Sequence, residues 1–224
     1  MKCNLKIINV IVILLIVLLI SPASLMASQI TIGEPASGGN CFPFGCSGGT
    51  RYQQVYNAAL FSGPMAINEL SFFNTQSGSG IIDTATYEIH FSTTSQPVNG
   101  LDTTVFNNNV GPNDQLFFLG ILGGPIGGTI FTISGIDFLY NPANGNLLLD
   151  IFKSNSQNNG DAYLDARNGT FGTDSSRAHN FGTGFESYGL VTRFSDEAQS
   201  VPEPGSILLL GIGLLGLAGF RKKN

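Results

Sequence analysis

The sequence predicts an all-β domain, an antiparallel β-sandwich of jelly-roll type, and three observations lead to that fold class. Within residues 84–93, polar and apolar side chains alternate from Thr84 to Ser92, which is the period of a half-buried antiparallel strand. Shorter runs of similar character are separated by clusters of Gly, Pro, Asn and Ser. Between the apolar segments at the two ends of the chain, no stretch has convincing helical periodicity.

The predicted strands follow one another at short intervals. They cover residues 51–57, 66–73, 84–93, 115–119, 129–134, 146–152, 162–166 and 189–194. In the clearest strand, one face is formed by Ala85, Tyr87, Ile89 and Phe91. Turns are expected at residues 76–80, 107–109, 123–125, 141–145 and 154–160. Eight or more short strands separated by such turns favour a fold of two packed sheets. The glycine-rich stretch 123–128 has no helix after it, so we expect a loop and no phosphate site.

The first 27 residues have the organisation of a secretory signal peptide. Lys2 and Lys6 precede an unbroken apolar run at residues 10–20, which is shorter than a membrane span usually is. Small residues follow, and cleavage after Ala23 or after Ala27 fits them equally well. The alternative is an uncleaved anchor, which the short run disfavours. The prediction implies passage through the Sec translocon.

The last 24 residues form a tail with three parts. A rigid polar break contains Pro202, Glu203 and Pro204, within residues 201–204. Residues 205–220 are apolar and uncharged, and they predict a short transmembrane helix. The basic end, residues 221–224, contains Arg221, Lys222 and Lys223. By the positive-inside rule these basic residues remain in the cytoplasm, which places the preceding domain on the other side of the inner membrane.

This tail resembles the PEP-CTERM sorting signal of Gram-negative bacteria, with Pro202, Glu203 and Pro204 as its signature. The resemblance implies recognition by an exosortase, a membrane-embedded processing enzyme that cuts near the motif. It also implies delivery to the cell surface or extracellular matrix, in bacteria that tend to make exopolysaccharide and biofilm. A plain C-terminal tail anchor is the alternative. It explains the span and the charges but not the position of the triplet.

Residues 28–200, between the two ends, are long enough for one β-sandwich domain with a sizeable core. This segment has fourteen acidic and five basic residues, a net charge of −9. Such a balance argues against nucleic acid or an anionic membrane surface as a partner.

Cys41 and Cys46 are the two cysteines of the domain, since Cys3 lies in the signal segment. The oxidising compartment that the signal peptide implies favours a disulfide between them. A metal pair is the alternative, but neither His nor further Cys lies near enough in sequence to complete a tetrahedral set. We expect no metal here.

Candidate catalytic residues are few. His90 lies on the polar face of the clearest strand, and a Ser/His/Asp site could use Asp83 or Asp102, although a surface histidine is the favoured interpretation. His179 lies in a loop-like segment with no evident partner. No nucleophile elbow and no zinc-protease motif occurs in the sequence. A secreted hydrolase is therefore the least favoured of the functions considered.

Two binding hypotheses accompany this interpretation. A structural calcium ion could use the oxygen ligands of Asp161, Asp165, Asp174, Asn158 and Asn159, although scattered surface carboxylates are the favoured explanation and no cofactor is expected. A carbohydrate-binding module would use aromatic platforms for extracellular polysaccharide. The chain has no Trp, so the platforms would be Tyr52, Tyr56, Tyr140, Tyr163 and Tyr188. The favoured prediction is a non-enzymatic, exported protein of the cell surface or matrix.

Overall fold

Antiparallel strands make up most of the computed structural model. It describes residues 28–35, 38–76, 78–166, 172–180, 185–186 and 189–196. The strands are β1 (Gln29–Ile32), β2 (Gly39–Asn40), β3 (Arg51–Tyr56), β4 (Met65–Phe73), β5 (Ile81–Thr94), β6 (Gln115–Pro125), β7 (Ile130–Tyr140), β8 (Asn146–Ser154), β9 (Leu164–Asp165), β10 (Ser175–His179), β11 (Phe185–Glu186) and β12 (Thr192–Ser195). Short 3-10 helices cover Ala58–Leu60, Phe106–Asn109 and Pro142–Asn144. Within the described ranges, no helix has the length and apolarity needed to cross a membrane.

The strands form two main sheets. The four-stranded sheet has the order β1-β12-β4-β7, and the six-stranded sheet has the order β11-β10-β3-β8-β5-β6. A small third sheet pairs β2 with β9. Every pairing is antiparallel, which confirms the predicted all-β, antiparallel class.

The core lies between the two main sheets because each contributes one apolar face. On β5 the predicted inward face, with Ala85, Tyr87, Ile89 and Phe91, is buried. The Phe91 ring packs against Phe138 of β7 and Phe194 of β12, with ring centroids 5.6 and 6.0 Å apart. Such contacts between the facing sheets are those of a β-sandwich.

The loop between β5 and β6 crosses the outer face of the six-stranded sheet. Leu101 of this loop packs against Val55, Leu148 and Ala178 of the sheet in a second, smaller apolar cluster. This loop therefore divides the outer face of the sheet into a covered part over β3 and β8 and an open part at β6.

Two predictions of turns or loops were wrong. The predicted turn at residues 123–125 belongs to β6, because β5 begins at Ile81 and its first residues pair with Gly124 and Pro125. The loop-like segment around His179 is strand β10, which pairs with β3. All five residues of β10 are buried although four of them are polar, so hydrophobic patterning gives no sign of this strand.

Candidate functional site

A polar groove of about 890 Å³ lies on the outer face of the six-stranded sheet. Its floor is formed by β3, β5 and β8, and one wall is formed by the loop between β5 and β6. A second depression of about 370 Å³ shares Arg51, Glu88, Asn107 and Phe152 with it. We call these two joined cavities the outer groove.

Arg51 lies at the centre of the outer groove. Its Nε and Nη2 donate to the two carboxylate oxygens of Asp150, at 3.1 and 2.6 Å, and its Nη1 donates to Asn107 Oδ1 at 2.7 Å. Its guanidinium carbon lies 4.4 Å from the centre of the Phe152 ring and 5.5 Å from that of Phe106. A bidentate ion pair combined with aromatic stacking holds an arginine in one orientation.

Strand register explains this arrangement. Arg51 and Phe152 are partners across β3 and β8, and so are Gln53 and Asp150. Gln53 Nε2 also donates to Asp150 Oδ2 at 2.8 Å, and Asn109 Nδ2 donates to Gln53 Oε1 at 2.7 Å. The hydrogen bonds thus extend from Asp150 through Gln53 to Asn109, and they give these buried polar side chains the partners that burial requires.

His90, on β5, lines the outer groove together with Arg51 of β3 and has a carboxylate at each ring nitrogen. Glu88 Oε1 is 2.9 Å from Nε2, and Asp114 Oδ2 is 3.1 Å from Nδ1. An ionised carboxylate only accepts hydrogen bonds, so both nitrogens can donate only when the ring is an imidazolium. These contacts occupy both nitrogens, and neither Asp83 nor Asp102 is a partner of His90, so the imagined Ser/His/Asp site does not form there.

Asp102 instead fixes the loop that forms the groove wall. Its Oδ1 accepts from the backbone N–H groups of Val105 and Thr104, both at 2.8 Å, and its Oδ2 accepts from Asn108 Nδ2 at 2.7 Å. These bonds, those from the Val105 and Thr104 backbone first, lower the pKa of the Asp102 carboxyl.

Asp83 has a structural role beside the groove. Its carboxylate is fully buried and faces Lys153 Nζ at 3.3 Å, and Lys153 also donates to the Cys46 carbonyl at 2.7 Å. Burial raises the pKa of the Asp83 carboxyl, but bonds from Ser156, the Asn159 N–H and Lys153 outweigh burial and lower it overall.

Most of the candidate sugar platforms face the core. Tyr52, Tyr56 and Tyr140 are all buried, so they offer no surface to a ligand. Burial raises the pKa of Tyr52 to about 12 against the opposing effects of Arg177 and the Leu190 N–H, so the phenol is neutral. Tyr163 is 46% exposed, and Tyr188 lies outside the described residues. The half-buried aromatic rings in the outer groove are Phe152 and Phe106 instead.

Cys41 and Cys46 form a disulfide with their Cα atoms 5.1 Å apart. Between them, Phe42 stacks on His179 with ring centroids 5.6 Å apart, and Phe44 is fully buried in the core. Gly45 leaves no room for a side chain, because a Cβ there would lie 1.9 Å from the Ala162 carbonyl oxygen. The disulfide loop thus closes one end of the sandwich.

The acidic residues considered as calcium ligands serve local contacts. Asp161 Oδ1 accepts from the Ile81 N–H at 2.7 Å, and Asn159 Oδ1 accepts from the Thr84 N–H at 2.8 Å. Asp165 lies buried in β9. Among the residues that the structure describes, no three His, Cys, Asp or Glu side chains are grouped so that they could hold a metal ion.

A family model matches the C-terminal residues of the chain. Residues 200–223 match the family model of the PEP-CTERM protein-sorting motif. The chain carries a PEP-CTERM sorting motif. The resemblance predicted from the tail is therefore confirmed. A PEP-CTERM motif marks an exported protein whose membrane-anchored precursor is processed by an exosortase. No curated protein and no solved structure is significantly similar to this chain.

The PEP-CTERM match includes the predicted signature and the basic end. These residues are Pro202, Glu203, Pro204, Arg221, Lys222 and Lys223. They lie outside the described residues, as do the predicted signal peptide at residues 1–27 and the predicted span at residues 205–220. The sorting motif could be predicted from the sequence, but the outer groove could not. Arg51 and Asp150 are 99 positions apart, and only the pairing of β3 with β8 brings them together.

Proposed function

We propose that this PEP-CTERM protein is a non-enzymatic component of the cell surface or extracellular matrix, associated with biofilm or exopolysaccharide. The sorting motif at residues 200–223 is the observation that carries the proposal. The sandwich body is consistent with it, because Arg51 bonds to Asp150 and both ring nitrogens of His90 face carboxylates, those of Glu88 and Asp114. The exported body then acts through its surface.

In this proposal the C-terminal tail anchors the precursor and is then removed by cleavage. The Sec translocon exports the chain through its signal peptide, and residues 205–220 hold the precursor in the inner membrane with Arg221, Lys222 and Lys223 in the cytoplasm. The exosortase then recognises Pro202, Glu203 and Pro204, because the two prolines keep the backbone extended for an enzyme cleft. The mature protein lacks the basic end.

Intact mass spectrometry of the extracellular protein tests this sequence of events. We expect a mass that lacks residues 221–224 in cells with the exosortase, and a membrane-bound precursor in cells without it. A Pro202→Ala/Pro204→Ala double variant should accumulate as precursor, whereas Pro64→Ala, at an exposed proline of the body, should be processed normally. Extracellular protein with Arg221 to Asn224 still attached would contradict the proposal.

The fold that we infer for the body is a jelly roll. Eight strands remain when the small β2–β9 sheet and the strands β10 and β11 at the β3 edge are left aside. Numbered along the chain, these eight strands form two sheets with the orders 1-8-3-6 and 2-7-4-5. An eight-stranded double sheet with interlocked Greek-key connections has this alternation between sheets. The strand order therefore supports the jelly-roll prediction at a level finer than the β-sandwich.

A second candidate function is binding of an uncharged polysaccharide in the outer groove. The groove presents side chains that can exchange hydrogen bonds with sugar hydroxyls, since Glu88 and Asp114 are 47% and 40% exposed and Asn107 is exposed. Phe152 adds a half-buried ring for apolar contact. Because the body has a net charge of −9, an acidic polymer would be repelled.

Pull-down with insoluble neutral polysaccharides, and with an acidic polysaccharide as the contrast, tests the second candidate on the exported protein. Asn107→Ala and Phe152→Leu should each reduce retention on the neutral polymer at least fivefold. Ser134→Ala, an exposed change on β7, should leave retention unchanged. No retention by any polymer would contradict the glycan function and leave the structural role in place.

A further inference from the structure

Strand β6 forms one edge of the six-stranded sheet. It pairs with β5 on one side and is the last strand of its sheet. Natural sheets usually protect such edges with charged side chains, prolines or bulges, because unpaired N–H and C=O groups can accept a strand from another molecule. Whether β6 is protected therefore indicates whether another strand can pair with it.

The middle of β6 has no such protection. None of its eleven residues is charged, and its one proline is the terminal Pro125. Leu119 and Ile121 point away from the core and are 60% and 75% exposed. Large exposed apolar side chains on an uncharged edge mark a surface that pairs with another strand.

The regularly paired part of β6 has similar apolar side chains on both sides of its central residue, Gly120. The register with β5 shifts after Ile82 and again after Ile89, which leaves residues 118–122 in unbroken pairing between the two irregularities. This segment reads Phe-Leu-Gly-Ile-Leu, so Gly120 has large apolar residues on both sides. If a second β6 paired antiparallel to it about Gly120, Leu119 of each copy would lie opposite Ile121 of the other.

The symmetry of residues 118–122 favours a second copy of the chain as the partner. The body carries a net charge of −9, so two copies repel one another over most of their surfaces. The β6 edge is complementary to itself because pairing there brings no carboxylate into register with another. A cationic partner would find no carboxylate on this strand.

We propose that two copies of this chain associate through antiparallel pairing of β6 with β6, centred on Gly120, to form one continuous sheet. Such an interface is isologous, with the same residues contributed by both copies. Association of this kind would link exported molecules to one another and does not depend on the outer groove or on removal of the tail.

Sedimentation equilibrium of the exported protein measures the association directly. We expect a monomer–dimer equilibrium, and the Leu119→Lys/Ile121→Lys variant should weaken it at least tenfold because it places like charges in register. The matched control is Ile136→Lys/Leu139→Lys on β7, where the side chains are 59% and 76% exposed. This control adds the same charge to the edge of the other sheet and should dimerise like the parent protein.

Cysteine pairing tests the register. A mixture of Leu119→Cys and Ile121→Cys proteins should form more interchain disulfide than either protein alone, because these positions face each other only between unlike variants. Circular dichroism spectra that match the parent show that each variant is folded. A parent protein that stays monomeric at 100-micromolar concentration, or equal weakening by the β6 and β7 substitutions, would overturn the proposal.

Discussion

The covered and open parts of the outer face of one sheet differ in how their side chains are used. Over β3 and β8, Arg51 and Asp150 bond to each other and to the loop that lies on them. At β6, Leu119 and Ile121 point into solvent with no segment over them among the described residues. One sheet thus combines a part completed within the chain with a part completed by another molecule.

This difference has an energetic consequence. Arg51 and Asp150 in the outer groove lie largely out of water, so the loss of one leaves the other buried and uncompensated. Exposed residues on β6 lose little when they are replaced, because they already contact water in the monomer. Substitutions in the covered part should therefore change folding, and substitutions at β6 should change association.

The largest effect is expected for Asp150→Ala, which removes the carboxylate that orients Arg51 and Gln53. Breaking a largely buried pair costs about 3–5 kcal/mol, so the free energy of unfolding should fall by that amount in urea denaturation. Asp137→Ala removes an exposed carboxylate on β7 and should change it by less than about 0.5 kcal/mol. Equal losses in the two variants would contradict the distinction between covered and open surfaces.

Acid should have the next largest effect, through Asp83 and Asp102. Asp83 and Asp102 have lowered pKa values in the folded protein, so the unfolded chain takes up their protons first as the pH falls. Their stabilising contribution is complete above the ordinary carboxyl pKa of about 4 and is lost as the pH falls through their lower folded values. Urea denaturation between pH 5 and pH 2 should show this decline.

The β6 edge supplies the contrast, since it has no titratable side chain. Association should tighten at mildly acidic pH, as the negative charge of the body falls while the fold is intact.

Asp83→Asn should reduce the pH dependence of unfolding, whereas Asp137→Asn should preserve it. A pH dependence that Asp83→Asn leaves intact would assign the acid sensitivity to other carboxylates.

Sequence patterning predicted the strands that have one apolar and one polar face. On β5 the alternation located the core residues correctly, because its polar face meets solvent and the groove. On β10 the same reasoning failed, because Ser175, Arg177 and His179 are buried by pairing with β3 and by neighbouring segments. A buried polar strand has no hydrophobic period to detect.

The outer groove could not be predicted for a different reason. Its central pair, Arg51 and Asp150, depends on the strand order, and alternation along the sequence contains no information about which strands become neighbours. The sorting motif could be predicted, because its three parts are contiguous in the sequence and can be recognised there without knowledge of the fold. Local signals thus indicated where the protein goes, and long-range pairing determined what its surface presents.

A smaller effect is expected for His90→Gln. The substitution removes two bonds to carboxylates that are both partly exposed, at 47% and 40%, so the free energy of unfolding should fall by about 1 kcal/mol at neutral pH. Urea denaturation measures the loss. A Glu88→Gln/Asp114→Asn variant should lose a similar amount, and adding His90→Gln to it should cost little more. Additive losses would show that His90 acts through other contacts.

The smallest effect on folding is expected at β6. For Leu119→Lys/Ile121→Lys, the free energy of unfolding of the monomer should differ from that of the parent by less than about 0.5 kcal/mol, because both side chains are already exposed. Urea denaturation at submicromolar protein concentration measures it without a contribution from association. A loss comparable with that of Asp150→Ala would mean that Leu119 and Ile121 are needed within the chain, and the open edge would then belong to the fold itself.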